Sequence, residues 1–166
     1  MIVLMMGVCG SGKSTTGKAL ADALRWPFFD GDDFHPESNV AKMAAGQPLT
    51  DADRWPWIDR IAEAMRGVLD RGGSAVFACS ALKSAYRKRM QRAGDVRIVF
   101  LHGDAETIAP RLAARTQHFM PASLLPSQFA ALEAPDDALV VDIRDVVSTQ
   151  VTRIREGLAI STPEHS

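Results

Sequence analysis

Short runs of apolar residues alternate along this chain with segments in which apolar residues recur every three or four positions. The runs have the length of buried strands and predict five of them, over 2–6, 28–30, 75–79, 96–101 and 139–142. The intervening segments predict helices over 13–25, 36–45, 83–92, 105–114 and 146–158. A longer helix is expected to begin at Asp51 or Asp53 and to stop at Gly72-Gly73. This alternation predicts an α/β fold, with a five-stranded parallel sheet and helices on both faces.

Nothing in the pattern divides the chain into separate units, because it contains no internal repeat and no long linker. We therefore expect a single domain over 1–160 and a disordered tail over 161–166. Two polar stretches interrupt the alternation of strands and helices. The first covers 31–57 and includes a small helix, and the second, over 115–126, is flanked by proline and predicts a mobile loop.

Composition excludes several classes of function. The 166 residues carry a net charge of −1 without a strongly basic stripe, so a nucleic-acid partner has little electrostatic support. No apolar run approaches the roughly 18 residues of a membrane-spanning helix. Because the first predicted strand starts at residue 2, we expect no signal peptide. Cys9, Cys79 and the four histidines form neither a zinc-binding nor a disulfide pattern. We expect a cytoplasmic protein with no membrane partner.

The segment Gly7-Val8-Cys9-Gly10-Ser11-Gly12-Lys13-Ser14 fills every constrained position of the P-loop motif, between the first strand and the first helix. Its glycines let backbone N–H groups turn inward around phosphate oxygens, and the helix start adds further N–H groups. Lys13 is expected to reach the β- and γ-phosphates, and the Ser14 hydroxyl to bind Mg²⁺. The nucleotide-binding residues predicted here are Gly7, Gly10, Ser11, Gly12, Lys13, Ser14 and Thr15.

A P-loop alone does not distinguish a kinase from a GTPase switch, a motor or an ATP-regulated scaffold. The single asparagine, Asn39, does not lie in the Asn-Lys-x-Asp element with which switch GTPases usually recognise guanine. The candidate neighbour of the P-loop strand ends Ala78-Cys79-Ser80, without the acidic residue usual in motor ATPases. These two observations favour a small kinase.

Asp30 and Asp32 follow the second strand directly, where a phosphate acceptor would lie. We expect an extended segment over Asp30–Asp32 whose two carboxylates point to opposite sides, Asp30 towards Mg²⁺ and Asp32 towards the acceptor. A carboxylate that accepts the proton of the attacking hydroxyl would supply the general base that phosphoryl transfer uses. The alternative interpretation of Asp-Gly-Asp is a solvated turn.

Basic residues near the end of the helix over 105–114 are candidates for closing over the nucleotide. Arg111 and Arg115 lie four positions apart, on one helix face. Guanidinium groups can stack on adenine or clamp a transferring phosphate, which makes both arginines candidate nucleotide-binding residues and Arg115 a candidate catalytic one. His118 lies in the loop that follows. The alternative is a pair of solvated arginines.

The chain resembles the gluconate kinases, small P-loop kinases related to the shikimate kinases, from Val3 to about Leu158. Besides the P-loop, the motifs that carry the resemblance are Asp30-Gly31-Asp32-Asp33-Phe34-His35-Pro36 with Asn39, Pro48-Leu49-Thr50-Asp51 with Asp53-Arg54, Cys79-Ser80-Ala81-Leu82-Lys83 with Tyr86-Arg87, His118-Phe119-Met120, and Ser127-Gln128-Phe129. The resemblance implies a P-loop NTPase three-layer sandwich with sheet order 2-3-1-4-5 and a mobile lid over 115–126. It also implies a homodimer that phosphorylates the 6-hydroxyl of D-gluconate with ATP and Mg²⁺, feeding the pentose phosphate or Entner–Doudoroff routes.

The same resemblance implies which side chains contact gluconate. Arg54 is the first choice for the acid group, because a guanidinium offers the bidentate fork that carboxylates favour, and Arg87 and Lys83 are further candidates for that group. Asp32 is expected nearest the attacking oxygen. Lys42 is either a further ligand or a solvated helix lysine, and Trp55 and Trp57 are expected to be packing residues. The other candidates for contact with the substrate are His35, Lys83, Arg87 and His118.

Two alternatives to gluconate phosphorylation stay open. The first is a kinase for another small acceptor, such as shikimate, another sugar acid, adenylylsulfate or a nucleoside monophosphate. The second is an ATP-binding regulatory protein that has lost catalysis, which would bind nucleotide without acceptor-dependent turnover. The presence of Lys13, Ser14, Asp30 and Asp32 weighs against the second.

Cys9 departs from the serine that the family more usually has at this position. In the implied sheet order, the strand that ends near Cys79 neighbours the P-loop strand. We therefore hypothesise that Cys9 and Cys79 are close enough for oxidation to inhibit the protein.

Overall fold

The structure is a computed structural model that describes residues 1–114 and 124–161. Five strands form one sheet: β1 (Ile2–Met6), β2 (Phe28–Asp30), β3 (Ala75–Ala78), β4 (Val96–His102) and β5 (Leu139–Asp142). The helices are α1 (Lys13–Leu24), α2 (Glu37–Ala44), α3 (Asp51–Asp70), α4 (Ser84–Gln91), α5 (Ala105–Ala113), α6 (Leu125–Ala131) and α7 (Val147–Gly157). The sequence pattern did not predict α6, and every other element matches its predicted position to within two residues at each end.

All neighbouring strands in the sheet run parallel, in the order β2-β3-β1-β4-β5. This arrangement confirms the predicted parallel sheet and its order. The central strand β1 pairs with β3 and β4 in register, with Ile2 opposite both Ala75 and Val96. The carboxyl ends of the parallel strands form one edge of the sheet, which we call the rim. Because β1 is central, the loop that leaves its carboxyl end lies in the middle of the rim.

The core consists of two apolar layers, one on each face of the sheet, because successive strand side chains point to opposite faces. On one face Val3 and Met5 pack with residues of α1, α5 and α7. On the other face Ile2, Leu4 and Met6 pack with residues of α3 and α4. These layers give the three-layer sandwich that was predicted, and they fix the helices around the rim of the sheet.

The N-terminus of α3 is capped by a reciprocal pair of hydrogen bonds. The Thr50 hydroxyl accepts from the Asp53 N–H, and the Asp53 carboxylate accepts from the Thr50 N–H. Asp53 also accepts from Lys42 at 2.7 Å, which ties α2 to α3. Hydrogen bonds from Lys42 and Thr50 lower the pKa of Asp53 to about 2. The helix therefore begins at Asp51, and Lys42 is engaged in an ion pair.

Two of the predicted segments lie partly outside the described residues: the lid over 115–126 and the tail over 161–166. Among the residues that the structure describes, no helix is both long and apolar enough to cross a membrane.

Candidate active site

The carboxyl ends of β1, β2 and β3 meet at one edge of the sheet, because these strands are parallel. Gly7 follows β1, Asp30 ends β2, and Cys79 follows β3. Ligands of open parallel sheets bind beyond this edge. The polar residues discussed below lie there or in the segments that lead away from it.

The loop between β1 and α1 has the backbone that the P-loop motif predicts. Gly10 and Gly12 have φ angles of 80° and 90°, in the left-handed region where a Cβ is strained. A Cβ on Gly10 would also lie 2.7 Å from Cγ of Leu112 in α5. The hydroxyl of Ser11 is buried and has no hydrogen-bond partner among the described residues. The loop thus has the shape and the unused polar atom of a cradle for oxyanions.

Lys13, the first residue of α1, extends back along this loop. Its Nζ donates to the carbonyl oxygen of Val8 at 3.0 Å. Burial lowers the pKa of Lys13, while the negative charges of the nearby Asp32 and Asp30 carboxylates oppose this shift. The Lys13 ammonium therefore lies within electrostatic reach of both aspartates of the Asp-Gly-Asp segment.

The structure brings Ser14 and Asp30 together, as predicted for a metal site. The Ser14 hydroxyl donates to Oδ2 of Asp30 at 3.2 Å. A hydroxyl and a carboxylate oxygen are ligands suited to Mg²⁺, which usually takes only one or two carboxylates and completes its shell with waters and phosphates. The described residues contain no group of three or more acidic, histidine or cysteine side chains that could hold a metal.

The expectation of an extended segment from Asp30 to Asp32 is wrong. The chain is extended at Asp30 and then forms a 3-10 turn over Gly31–Phe34. Oδ1 of Asp30 accepts from the Asp32 N–H at 3.0 Å, which starts the turn. The backbone at Gly31 also lies close to β3, and only glycine fits there, since a Cβ would lie 2.7 Å from the Ala78 carbonyl oxygen. Side chains two positions apart on a strand share one face, so an extended segment would not have separated the two carboxylates. The turn separates Asp32 from Asp30 and leaves Asp32 exposed at the rim.

A cluster of polar side chains joins the start of α3 to the start of α4. Asp51 accepts hydrogen bonds from Lys83 at 3.0 Å and from the Tyr86 hydroxyl, and Nη1 of Arg54 lies 3.7 Å from Oδ1 of Asp51. The hydrogen bond with Asp51 raises the pKa of Lys83, and those from Tyr86 and Lys83 lower that of Asp51. Arg54 and Lys83, both predicted to bind an acid group, are thus close to a carboxylate of the protein itself.

His35 lies between the 3-10 turn and α2. Its ring stacks on Trp57, with 4.1 Å between centroids and 16° between planes. Asn39 Nδ2 lies 3.3 Å from His35 Nδ1. Burial, and secondly the charge of Arg54, lower the pKa of His35 to about 4. Trp57 is buried, as predicted, and the His35 ring is neutral at neutral pH.

Arg87 has a different environment from the one expected of a substrate ligand. It is only 4% exposed, and its guanidinium donates to the carbonyl oxygens of Ala81, Leu82 and Glu133 at 2.8 to 2.9 Å. These bonds hold the segment before α4 to the segment that follows α6. We therefore assign Arg87 a structural role and retain Arg54 and Lys83 as the candidates for binding an acid.

Arg111 lies on the other side of the phosphate loop from Asp30, since β5 and β2 are the two edges of the sheet. Its Nη2, on α5, donates to the carbonyl oxygen of Ile143, which follows β5, at 2.8 Å. Arg111 is thereby held beside the loop that leaves the edge strand. The helix α5 ends at Ala113. Arg115 and His118, the other predicted lid residues, lie outside the described residues.

Sequence reasoning gave no role to Gln128, although this residue contacts the phosphate loop directly. Its Oε1 accepts from the Cys9 N–H at 2.7 Å, across 119 positions of the chain. The segment Ser127-Gln128-Phe129 stood out only as part of the family resemblance. Asp51 was named only as a possible start of α3 and within a motif, and its contacts with Lys83 and Tyr86 were not predicted. None of these contacts has a signal in local spacing, because each joins elements that are distant in sequence.

The thiol of Cys79 is buried, and this burial raises its pKa to about 12. Oxidation of cysteine proceeds through the thiolate, which is then scarcely populated at neutral pH. The hypothesis of inhibition by oxidation of Cys9 and Cys79 stays untested, and the environment of Cys79 argues against it.

Comparison with known proteins places the chain among small kinases. The family model described as shikimate kinase matches residues 9–156. A gluconokinase of Gluconobacter oxydans is 50% identical over 137 residues, 81% of this chain and 76% of that protein. The thermosensitive gluconokinase of Escherichia coli is 39% identical, over 93% of this chain and 86% of that protein.

The structural comparison agrees. The crystal structure of a gluconokinase from Sinorhizobium meliloti superposes with a TM-score of 0.84 and 41% identity, over 95% of this chain and 90% of that chain. The P-loop, the aspartates at the end of β2 and the sheet order all fit this group. The chain belongs to the gluconokinases, within the shikimate kinase family of P-loop kinases.

Proposed function

We propose that this protein transfers the γ-phosphoryl group of ATP to the 6-hydroxyl of D-gluconate, giving 6-phospho-D-gluconate. The observation that carries the proposal is the hydrogen bond from the Ser14 hydroxyl to Asp30 at 3.2 Å, which joins the phosphate loop to the acidic segment after β2. Phosphoryl transfer depends on positioning and on charge stabilisation more than on covalent chemistry, and this rim supplies both. Gluconokinases that are 36 to 50% identical support the choice of acceptor.

On the nucleotide side, the residues from Gly7 to Thr15 would bind the phosphates, through backbone N–H groups and through Lys13. Arg111, held beside the loop after β5, would contact the nucleotide from the other side. Ser14 and Asp30 would hold Mg²⁺, which when bound neutralises charge on the phosphates. Arg115 and His118 stay predictions for the lid.

On the acceptor side, Asp32 would accept the proton of the attacking hydroxyl and His35 would bind a hydroxyl group. Arg54 would bind the carboxylate of gluconate, with Lys83 beside it. Because Asp51 accepts from Lys83 and lies 3.7 Å from Arg54, it would compete with the substrate carboxylate for both cations. We further propose a cytoplasmic homodimer that acts in gluconate catabolism.

A coupled assay of ADP release across a panel of acceptors tests this function. The panel contains D-gluconate, shikimate, another sugar acid, adenylylsulfate and a nucleoside monophosphate. Turnover that depends on gluconate, with loss of activity when Mg²⁺ is chelated, is the expected result. Turnover of shikimate without turnover of gluconate would overturn the proposed acceptor, and nucleotide binding without any acceptor-dependent turnover would indicate a regulatory protein.

Replacing Arg54 with alanine should raise the KM for gluconate about tenfold or more, because a charge-assisted hydrogen bond is worth roughly 1.5–3 kcal/mol. The KM for ATP should not change. Steady-state kinetics with each substrate varied in turn provide the measurement. The Arg60→Ala variant, on an exposed position of the same helix, is the matched control. An unchanged KM for gluconate would remove Arg54 from the acid-binding site.

Replacing Gln128 with alanine should raise the KM for ATP several-fold, because the Cys9 N–H then loses its partner and the phosphate loop is less well positioned. The KM for gluconate should change less. Ser127→Ala is the control, since Ser127 lies in the same short helix and its hydroxyl bonds only the Leu124 carbonyl among the described contacts. Equal effects of the two variants on ATP would indicate a general disturbance of α6 instead.

A further inference from the structure

Asn39 is the one buried residue of α2, a helix whose other side chains are exposed or half-buried. It is 2% exposed, although an amide is costly to bury without hydrogen bonds. Its Nδ2 donates to the backbone carbonyl oxygen of Asp53 in α3 at 2.9 Å. A carbonyl oxygen can only accept, so this bond fixes which end of the Asn39 amide faces α3.

The same amide nitrogen lies 3.3 Å from Nδ1 of His35. An amide NH₂ group has two hydrogens and no acceptor capacity, so Nδ1 of His35 must accept. A neutral imidazole that accepts at one nitrogen carries its proton on the other. The contact with Asn39 therefore selects the tautomer of His35 that has its proton on Nε2.

The orientation of the His35 ring is fixed by its stacking on Trp57. The indole Nε1 of Trp57 donates to the carbonyl oxygen of Gly31 at 2.7 Å. Gly31 stands between Asp30 and Asp32, so the ring is tied through Trp57 to the acidic pair of the rim. Asn39 and Trp57 together define both the direction of the ring and its hydrogen-bonding character.

The charged groups around His35 also favour a neutral ring. Arg54 on α3 is the charge that acts on it, in addition to burial. The carboxylate of Asp53, on the same helix, is engaged by Lys42 and by the Thr50 N–H. Asp32, in the turn before His35, accepts the His35 N–H at its backbone carbonyl.

We propose that Asn39 is a positioning residue that keeps His35 a neutral hydrogen-bond donor through Nε2–H. This inference deepens the proposed function and rests on it. His35 donates to a hydroxyl oxygen of the acceptor, and it cannot take the proton of the attacking hydroxyl because Nε2 already carries one. The role of general base is thereby left to Asp32.

The Asn39→Asp variant tests the proposal, because a carboxylate accepts where the amide donates and so favours a proton on Nδ1 of His35. Proton–nitrogen correlation NMR of the full chain reads the tautomer, and the His35→Gln variant assigns the signal among the four histidines. The wild type and Val40→Ala, an exposed neighbour on α2, should both show the Nε2–H form. Asn39→Asp should show a proton on Nδ1 and an increased pKa of His35.

Kinetics provide a second measurement. Asn39→Asp should raise the KM for gluconate about tenfold, as expected for one lost hydrogen bond, with a smaller change in kcat. Its kcat/KM for gluconate should also acquire a pH dependence between about pH 5.5 and 8, where the wild-type His35 does not titrate. Asn39→Ala separates loss of the donor from the added charge, and it should raise KM without the new pH dependence.

The Nδ1–H form in the wild type, or the same tautomer in the wild type and in Asn39→Asp, would overturn the role of Asn39. A wild-type protein that shows the Nε2–H form but does not phosphorylate gluconate would instead overturn the proposed acceptor. The tautomer is measured without substrate, so the two failures are distinguishable.

Discussion

Replacing Lys13 with alanine should lower kcat by about 10²- to 10³-fold, the effect expected when one charge-stabilising group is removed from a transition state. Lys13 begins α1, and its Nζ lies along the phosphate loop at 3.0 Å from the Val8 carbonyl oxygen. The negative charge that develops on the transferring group would lose its nearest cation in the phosphate loop. The fold should persist, because Lys13 is not among the residues through which α1 packs against the core.

Steady-state kcat at saturating ATP and gluconate measures this effect, and thermal unfolding checks the fold. Lys18→Ala is the matched control, since Lys18 lies on the same helix with an exposed side chain near the Phe28 ring. That variant should keep its kcat. A Lys13→Ala enzyme with kcat within about threefold of the wild type would show that charge stabilisation comes from elsewhere.

The nucleotide side of the site could be predicted from the sequence because its determinants are local. A buried strand, a glycine-rich turn and a helix follow one another within residues 2–24, and each leaves its own pattern. The positive φ angles of Gly10 and Gly12 occur where the motif requires them. The order of the strands needed more than local pattern, and it followed from the family resemblance.

The acceptor side was less predictable, since its geometry depends on contacts between distant segments. The extended segment expected from Asp30 to Asp32 ends at Gly31, because the Asp30 side chain caps a turn there and Gly31 packs against the Ala78 carbonyl of the neighbouring strand β3. The role of Arg87 depends on the Glu133 carbonyl, 46 positions away. The pairing of Asp51 with Lys83 joins residues 32 positions apart. None of these contacts produces a period or a motif.

Replacing Asp32 with asparagine should lower kcat by about 10²- to 10⁴-fold, the range in which a general base contributes. The amide has nearly the shape of the carboxylate but cannot accept the proton of the attacking hydroxyl. The turn over Gly31–Phe34 should form in the variant, because Asp30 caps it through the backbone N–H of residue 32. The KM values for both substrates should change much less than kcat.

Asp33→Asn is the control that distinguishes loss of the general base from loss of one negative charge in the turn. Asp33 follows Asp32 in the same 3-10 turn, is also exposed, and carries the same charge. If the turn contributed only negative charge near Lys13, the two variants would lower kcat alike. If Asp32 accepts the proton, only Asp32→Asn should lower kcat severely. An Asp32→Asn enzyme with nearly full kcat would mean that phosphoryl transfer, through its loose transition state, proceeds here by positioning alone, without a base.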